Sequence, residues 1–309
     1  MPRFIRRSLL MVDMTTPSVP EWALEAGSDV LILNFEVVSS ENGRALSQSQ
    51  ILESISSATQ STAEIFIRVR REAIQADLEA AVWPGLTGVI LPKVEYAQEV
   101  QEVSQHLAEL EERRSLPEGS LQIDAEIGTA MGVWNSLEIG RASNRLAALT
   151  VGETSLYHDL CLNPEANLDQ DPLDLIKFQI ITNARACGIQ PQGMSYPLSI
   201  TLAEVEEAQL KQAVRRARDM GFKGAICPYV SWVKICNEGF RPSEEELTYY
   251  RKVREAFADG LRQGLAFFYL EGRMIDTPVD LRAKVFLEWG DRCARRDAEK
   301  PRAISGNAR

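Results

Sequence analysis

Eight short aliphatic runs, each followed by a stretch with helical spacing, constrain the fold of this chain more than any other feature. They are SLLMV (8–12), DVLILN (29–34), EIFIRV (64–69), TGVILP (87–92), LQIDAEI (121–127), LAALTV (146–151), GMSYP (193–197) and FKGAICP (222–228). Strands alternating with helical patterns pair in parallel, because only a crossover returns the chain in the same direction. Several runs are apolar almost throughout, as strands covered on both faces are. Eight right-handed strand–helix units close most simply into a (β/α)8 TIM barrel; an open doubly wound sheet is the alternative. No GxGxxG follows a strand, which disfavours a dinucleotide-binding version of the open sheet.

Between the strands, Val100, Val103, Leu107 and Leu110 mark one helical face, and Val205, Ala208, Leu210, Ala213, Val214 and Ala217 mark another; both read as core-facing stripes. PSEEE (242–246) has the Ser-led pattern that caps a helix start, and Pro278 in EGRMIDTPV (271–279) suits the first turn of a last helix. The final segment, 292–309, is charged and poor in large apolar residues, so it is expected to fray. The division read from these patterns is a barrel over 1–275 and a C-terminal helix with a charged tail over 276–309. A length of 309 residues does not demand more, since such barrels run to about 250 residues as one domain.

A formal charge of −10 argues against nucleic acid as a partner, because binding it needs basic surface. The five cysteines are odd in number, widely spaced and form no CxxC, which fits a reducing cytoplasm. The opening MPRFIRRSLLMVDM has basic residues before an apolar run, but that run ends at Asp13 and reads as a first strand. No stretch approaches the roughly 20 apolar residues that span a bilayer, so no membrane partner is expected.

A barrel of this type builds its active site at the C-terminal ends of its strands. The polar residues there are Asp13, Asn34, Glu36, Arg68, Arg70, Lys93, Glu95, Asp124, Glu126, Glu153, Thr154 and Ser155. Acids and bases on one rim suit proton transfer, and arginine suits a carboxylate or an enolate oxygen. A solvated or salt-bridged role is the competing reading for each of them. The two histidines offer little: His106 falls inside a long helix, and His158 lacks the companions of a metal cluster.

Taken in order, these segments resemble the HpcH/HpaI aldolase/citrate lyase family, and within it the citrate lyase β-subunit-like branch. RRSLLMV is similar to the family's RSLL start, LILNFE (31–36) to its ILDLED strand, GVILPKVE (88–95) matches closely, GTAMGV (128–133) resembles ETxxGV, and LTVGETSL (149–156) resembles the FGAEDL segment. GFKGAIC (221–227) and EGRMIDTPV follow in the family's order. The resemblance implies a homo-oligomer, a trimer favoured, that breaks or forms a carbon–carbon bond in a 3-hydroxyacyl-CoA thioester such as citryl-, malyl- or citramalyl-CoA. It puts Arg68 at the enolate-stabilising arginine and leaves Glu36 as the surviving acid of DLED, the two expected catalytic residues. Asn34, Gly152 and Ser155 are expected to bind substrate.

The same resemblance implies Mg²⁺ held by a glutamate and an aspartate, and here Gly128 and Ser155 stand at those positions. Tyr229 and Trp232 likewise replace the histidine and glutamine of IHPxQ. Glu126 and Glu153 lie two residues before the lost ligands and are the nearest substitutes for a metal site. In regular strands they would point to the same side, one layer or roughly 6.5 Å deeper. Buried acids paired with basic side chains fit the sequence equally well. Three activities stay open: a CoA-ester lyase, a catalytically silent barrel that binds a metabolite or partner, and a CoA-thioester hydrolase.

Overall fold

A computed structural model describes residues 5–14, 18–34, 47–163, 171–195, 205–265 and 267–300. Eight parallel strands follow one another around a barrel: β1 (Ser8–Asp13), β2 (Val30–Asn34), β3 (Glu64–Arg68), β4 (Gly88–Leu91), β5 (Gln122–Ile127), β6 (Leu146–Val151), β7 (Gln190–Gln192) and β8 (Ala225–Cys227). Strand β1 pairs with both β2 and β8. The seam between β7 and β8 is bridged by Gly193 N donating to Gly224 O (2.9 Å) and Lys223 N donating to Pro191 O (3.0 Å). The helices of this unit are α1 (Glu21–Leu24), α2 (Gln48–Ala58), α3 (Ile74–Ala81), α4 (Ala97–Arg113), α5 (Ala130–Trp134), α6 (Ser136–Gly140), α7 (Glu153–Asp159), α8 (Asp174–Ala186), α9 (Glu207–Met220) and α10 (Val230–Gly239).

Seven of the eight aliphatic runs are strands, and the seventh is corrected. Strand β7 is Gln190–Gln192, just before GMSYP, whose residues 196 and 197 lie outside the described ones. Apolar patterning passes over it because its buried side chains are amides with partners. Gln190 Nε2 donates to Arg6 O at 2.7 Å, and Gln192 Oε1 accepts from Thr150 Oγ1 at 2.8 Å. Held by one such bond each, two glutamines occupy positions where an aliphatic residue is the usual choice.

Side chains alternate along the strands, apart from a one-residue shift in β6 at Ala147. Leu9, Val30, Ile32, Phe66 and Ile90 form one apolar cluster, while Leu10, Leu31, Leu33, Ile65, Ile67, Ile123 and Ala125 join the larger core with the helices. The first set faces the barrel interior, and the same parity turns Met11, Asp13, Asn34, Arg68, Asp124, Glu126 and Thr150 inward. Below the apolar layer, Arg6 donates to Glu64 (2.8 Å) and Gln122 (2.5 Å), lies 3.5 Å from Asp124 and covers the Phe66 ring at 4.5 Å. Arg7 is fully buried against Asp29. The α4 stripe is buried as expected; in α9 Leu210, Ala213, Val214 and Ala217 are buried, whereas Ala208 is exposed.

A second compact unit begins at Arg241, earlier than the 275/276 boundary drawn from the sequence. It contains α11 (Glu244–Arg262), an antiparallel hairpin of β9 (Phe268–Leu270) and β10 (Arg273–Ile275), and α12 (Thr277–Glu299). Val253, Phe257, Ile275 and Ala283 share one core, which is why α11 belongs with the elements that follow it. Both caps are present: Ser243 Oγ accepts from Glu246 N at 3.1 Å, and Asp276 Oδ1 accepts from Val279 N at 3.1 Å with Pro278 in the first turn. The expected fraying is corrected over 292–299, where α12 stays helical to Glu299 with Trp289 and Cys293 buried, and residues 301–309 lie outside the described ones. None of the five cysteines forms a disulfide, and no described helix is long and apolar enough to cross a membrane.

The closing seam tolerates no side chain at residue 224, where a Cβ would overlap the Arg6 carbonyl. Backbone cannot step aside as a flexible side chain can, so Gly224→Ala is expected to destabilise the protein by about 2–3 kcal/mol. Urea unfolding followed by circular dichroism measures this, and a wild-type midpoint would contradict it.

Candidate active site

The inward parity of the strands gathers the candidate residues at the C-terminal mouth of the barrel. Asn34 and Arg68 are register partners on β2 and β3, and Asp13 pairs with Asn34 from β1. Asn34 Nδ2 donates to Asp13 Oδ1 at 2.7 Å. From β5, Glu126 reaches across and takes the Arg68 guanidinium: Nε donates to Oε2 at 3.1 Å and Nη2 to Oε2 at 3.0 Å. Both partners are buried. A cleft of ≈ 310 Å³ opens on this pair, and its wall includes Asn34, Arg68, Glu126, Gly152, Glu153, Thr154 and Ser155.

The wall also includes Met11, Thr150, Met194 and Trp232, none of them among the rim candidates of the sequence. Strand parity offered a signal for Met11 and Thr150. Trp232, buried in α10, was noted only as a departure from a motif. Glu36 lies outside the described residues.

Glu153 is not a strand residue, so the parity expected for it does not apply. Strand β6 ends at Val151, the chain turns at Gly152, and Glu153 opens α7. Its carboxylate lies 2.9 Å from Lys177 Nζ, which also holds Asp171 at 2.6 Å; all three residues are buried. Desolvation dominates over the attraction of Lys177 and raises the Glu153 pKa to about 7. Gly152 has its own steric reason: a Cβ there would stand 2.9 Å from Glu126 Oε1. A side chain there would push the Glu126 carboxylate, and with it the Arg68 pair, from its place beneath this turn.

Gly128 lies just past β5, and a Cβ built on it would stand 2.9 Å from Ser155 Cβ. The two positions that the resemblance assigns to metal ligands therefore face each other, without a carboxylate on either. The substitutes do not fit a divalent cation. Glu126 is committed to Arg68 and Glu153 to Lys177, whereas Mg²⁺ requires near-octahedral oxygen ligands that are free to turn toward it. Among the described residues, no group of three His, Cys, Asp or Glu side chains is placed to hold a metal ion.

The remaining candidates lie elsewhere. Arg70 leaves the strand and binds Asp77, donating through its backbone N at 2.7 Å and through Nη2 at 2.5 Å, which ties β3 to α3. Asp124 belongs to the floor with Arg6, and burial raises its pKa to about 6. Glu95 contributes its backbone, its N donating to Glu99 and its carbonyl accepting from Asn135 Nδ2 at 2.8 Å. His106 lies 3.7 Å from each of Glu79 and Glu109 on α4, and His158 is exposed at the end of α7; neither lines the cleft.

Glu153 makes a pH signature. Its pKa rises on folding from 4.5 to about 7, so its bound proton stabilises the folded state fully below pH 4.5, and that contribution is lost as pH rises through about 7. Glu153→Gln is expected to gain stability relative to wild type between pH 5 and pH 8, by up to about 3 kcal/mol. Denaturant unfolding of both proteins across that range measures the difference, and a constant offset would contradict it.

Comparison with known proteins identifies the family and supports the barrel fold. The sequence profile of the HpcH/HpaI aldolase/citrate lyase family matches residues 7–228. Citrate lyase subunit beta of Haemophilus influenzae is 29% identical, over 69% of this chain and 70% of that protein. Mitochondrial citramalyl-CoA lyase of Rattus norvegicus is 26% identical, over 81% and 76%. Among solved structures, CitE of Mycobacterium tuberculosis in complex with magnesium, acetoacetate and coenzyme A is 24% identical, with a TM-score of 0.65 over 92% of this chain and 97% of that one. At that identity the likeness speaks for the fold alone.

Proposed function

This chain belongs to the HpcH/HpaI aldolase/citrate lyase family, and we propose that it cleaves or forms the carbon–carbon bond of a 3-hydroxyacyl-CoA thioester such as citryl-, malyl- or citramalyl-CoA. The observation that carries this reading is Arg68: a buried guanidinium at the C-terminal end of β3, fixed by Glu126 and walling the cleft. In the cleavage direction a base takes the substrate's hydroxyl proton and a carbonyl forms at that carbon. The adjacent carbon–carbon bond breaks, its electron pair passes into the thioester as an enolate, and protonation of the enolate gives acetyl-CoA. A preorganised guanidinium lowers the energy of that enolate because it needs no reorientation as charge develops. Glu126 supplies the orientation. Glu36, two residues past Asn34, is our assignment for the base, and Asn34, Gly152 and Ser155 are assigned to binding the substrate.

The reading includes a homo-oligomer, with a trimer favoured, working in the cytoplasm, where its five cysteines, none of them in a disulfide, stay reduced. No step passes through a metal ion.

Incubating the purified protein with a panel of 3-hydroxyacyl-CoA thioesters, and following acetyl-CoA and free CoA, tests the activity. Wild type is expected to release acetyl-CoA. Arg68→Lys keeps the charge but loses the planar fork, and should lower kcat/KM by about 10²-fold or more. Free CoA as the first product would make the protein a hydrolase, and wild-type turnover by Arg68→Lys would remove Arg68 from catalysis.

A further inference from the structure

The gap left by Gly128 is partly filled by Lys93. Its Cγ lies 3.3 Å from the point where a Cβ on residue 128 would stand, and Ser155 Oγ lies 3.4 Å from the same point. Lys93 follows β4 with φ +50, in the left-handed region, which a residue with a side chain enters at a cost. The loop beyond it is pinned, with Val94 N donating to Glu126 O at 2.9 Å and Asn135 closing on the Glu95 carbonyl. The strained backbone is thus held by the strand that also carries Glu126. Unlike Arg68 and Lys177, Lys93 has no carboxylate within ion-pair distance among the described residues, and it is exposed.

Charge balance points the same way. A divalent ion held by two carboxylates is neutral overall. With glycine and serine in place of those acids, the same ion would add two uncompensated charges close to Arg68 and Lys93, which repel it. A lysine ammonium brings one charge and three donors on a flexible stem, with nothing further to neutralise.

We propose that Lys93, which stands outside the lining of the cleft but next to Gly128 and its wall residue Ser155, is the tethered cation that receives the carboxylate of the 2-oxo acid half of the substrate, so that binding needs no divalent ion. The choice of a 2-oxo acid rests on the lyase reading.

Calorimetric titration with pyruvate and with glyoxylate, in EDTA and in excess Mg²⁺, tests this directly. Wild type is expected to bind at least one of them with the same affinity in both buffers. Lys93→Met and Lys93→Gln should weaken binding by about tenfold or more, the loss of one charge-assisted hydrogen bond, whereas Lys93→Arg should stay within a few-fold of wild type. Circular dichroism of each variant establishes that it is folded. Binding that requires Mg²⁺, no binding in either buffer, or unchanged affinity in the uncharged variants would overturn the proposal. The thioester panel separates the two readings: metal-free binding that depends on Lys93 without turnover sinks the lyase alone, and turnover that requires Mg²⁺ sinks the role of Lys93 alone.

Discussion

The ion pair between Arg68 and Glu126 sets the terms for everything at the mouth of the barrel. Two opposite charges taken out of water cost several kcal/mol each, and they persist only where geometry returns most of that cost. Here β3 and β5 present them with the same inward parity, and the guanidinium meets the carboxylate through Nε and Nη2. Neighbouring backbone has been shaped around the pair. Gly152 has no side chain because one would strike Glu126, and the Glu126 carbonyl pins Val94, which fixes the loop carrying Lys93. Losing either partner would leave a buried charge alone, at a cost of about 3–5 kcal/mol.

The same solution recurs through the barrel unit. Arg6 answers Glu64 and Asp124 at the floor, Arg7 answers Asp29, and Lys177 answers both Glu153 and Asp171. Each buried acid is met by a protein cation rather than left for a metal. That is the physical difference between this site and one built from unpaired carboxylates. It also explains why Glu126 and Glu153, although both wall the cleft, are poorly disposed as metal ligands: turning toward an ion would take a carboxylate away from the buried cation of Arg68 or Lys177.

Much of this architecture is legible in the amino-acid order, for reasons that differ from element to element. Strands β1 to β6 and β8 announce themselves because their outward faces meet helices and their inner faces meet one another, giving nearly unbroken aliphatic runs. Strand β7 does not, since Gln190 and Gln192 are buried through hydrogen bonds that no hydropathy pattern records. The second unit reaches back to Arg241 because the partners of α11 lie some twenty residues on, across a hairpin. At the site, alternation alone foretells Asn34, Arg68 and Glu126, all on regular strands. It fails for Glu153, where the strand has already turned into a helix. It is silent on Lys93 beside Gly128, a meeting of two loops that are far apart in the chain.

Whether this cleft binds a metal ion decides which chemistry its residues can perform. Electron paramagnetic resonance of Mn²⁺ titrated into the purified protein counts bound ions directly, because bound and free Mn²⁺ give distinct signals. With the donors of the cleft already committed to Arg68 and Lys177, the spectrum should remain that of free Mn²⁺ well above stoichiometric concentrations. One tightly bound ion per chain, displaced by Mg²⁺ and lost in Glu126→Gln, would contradict it.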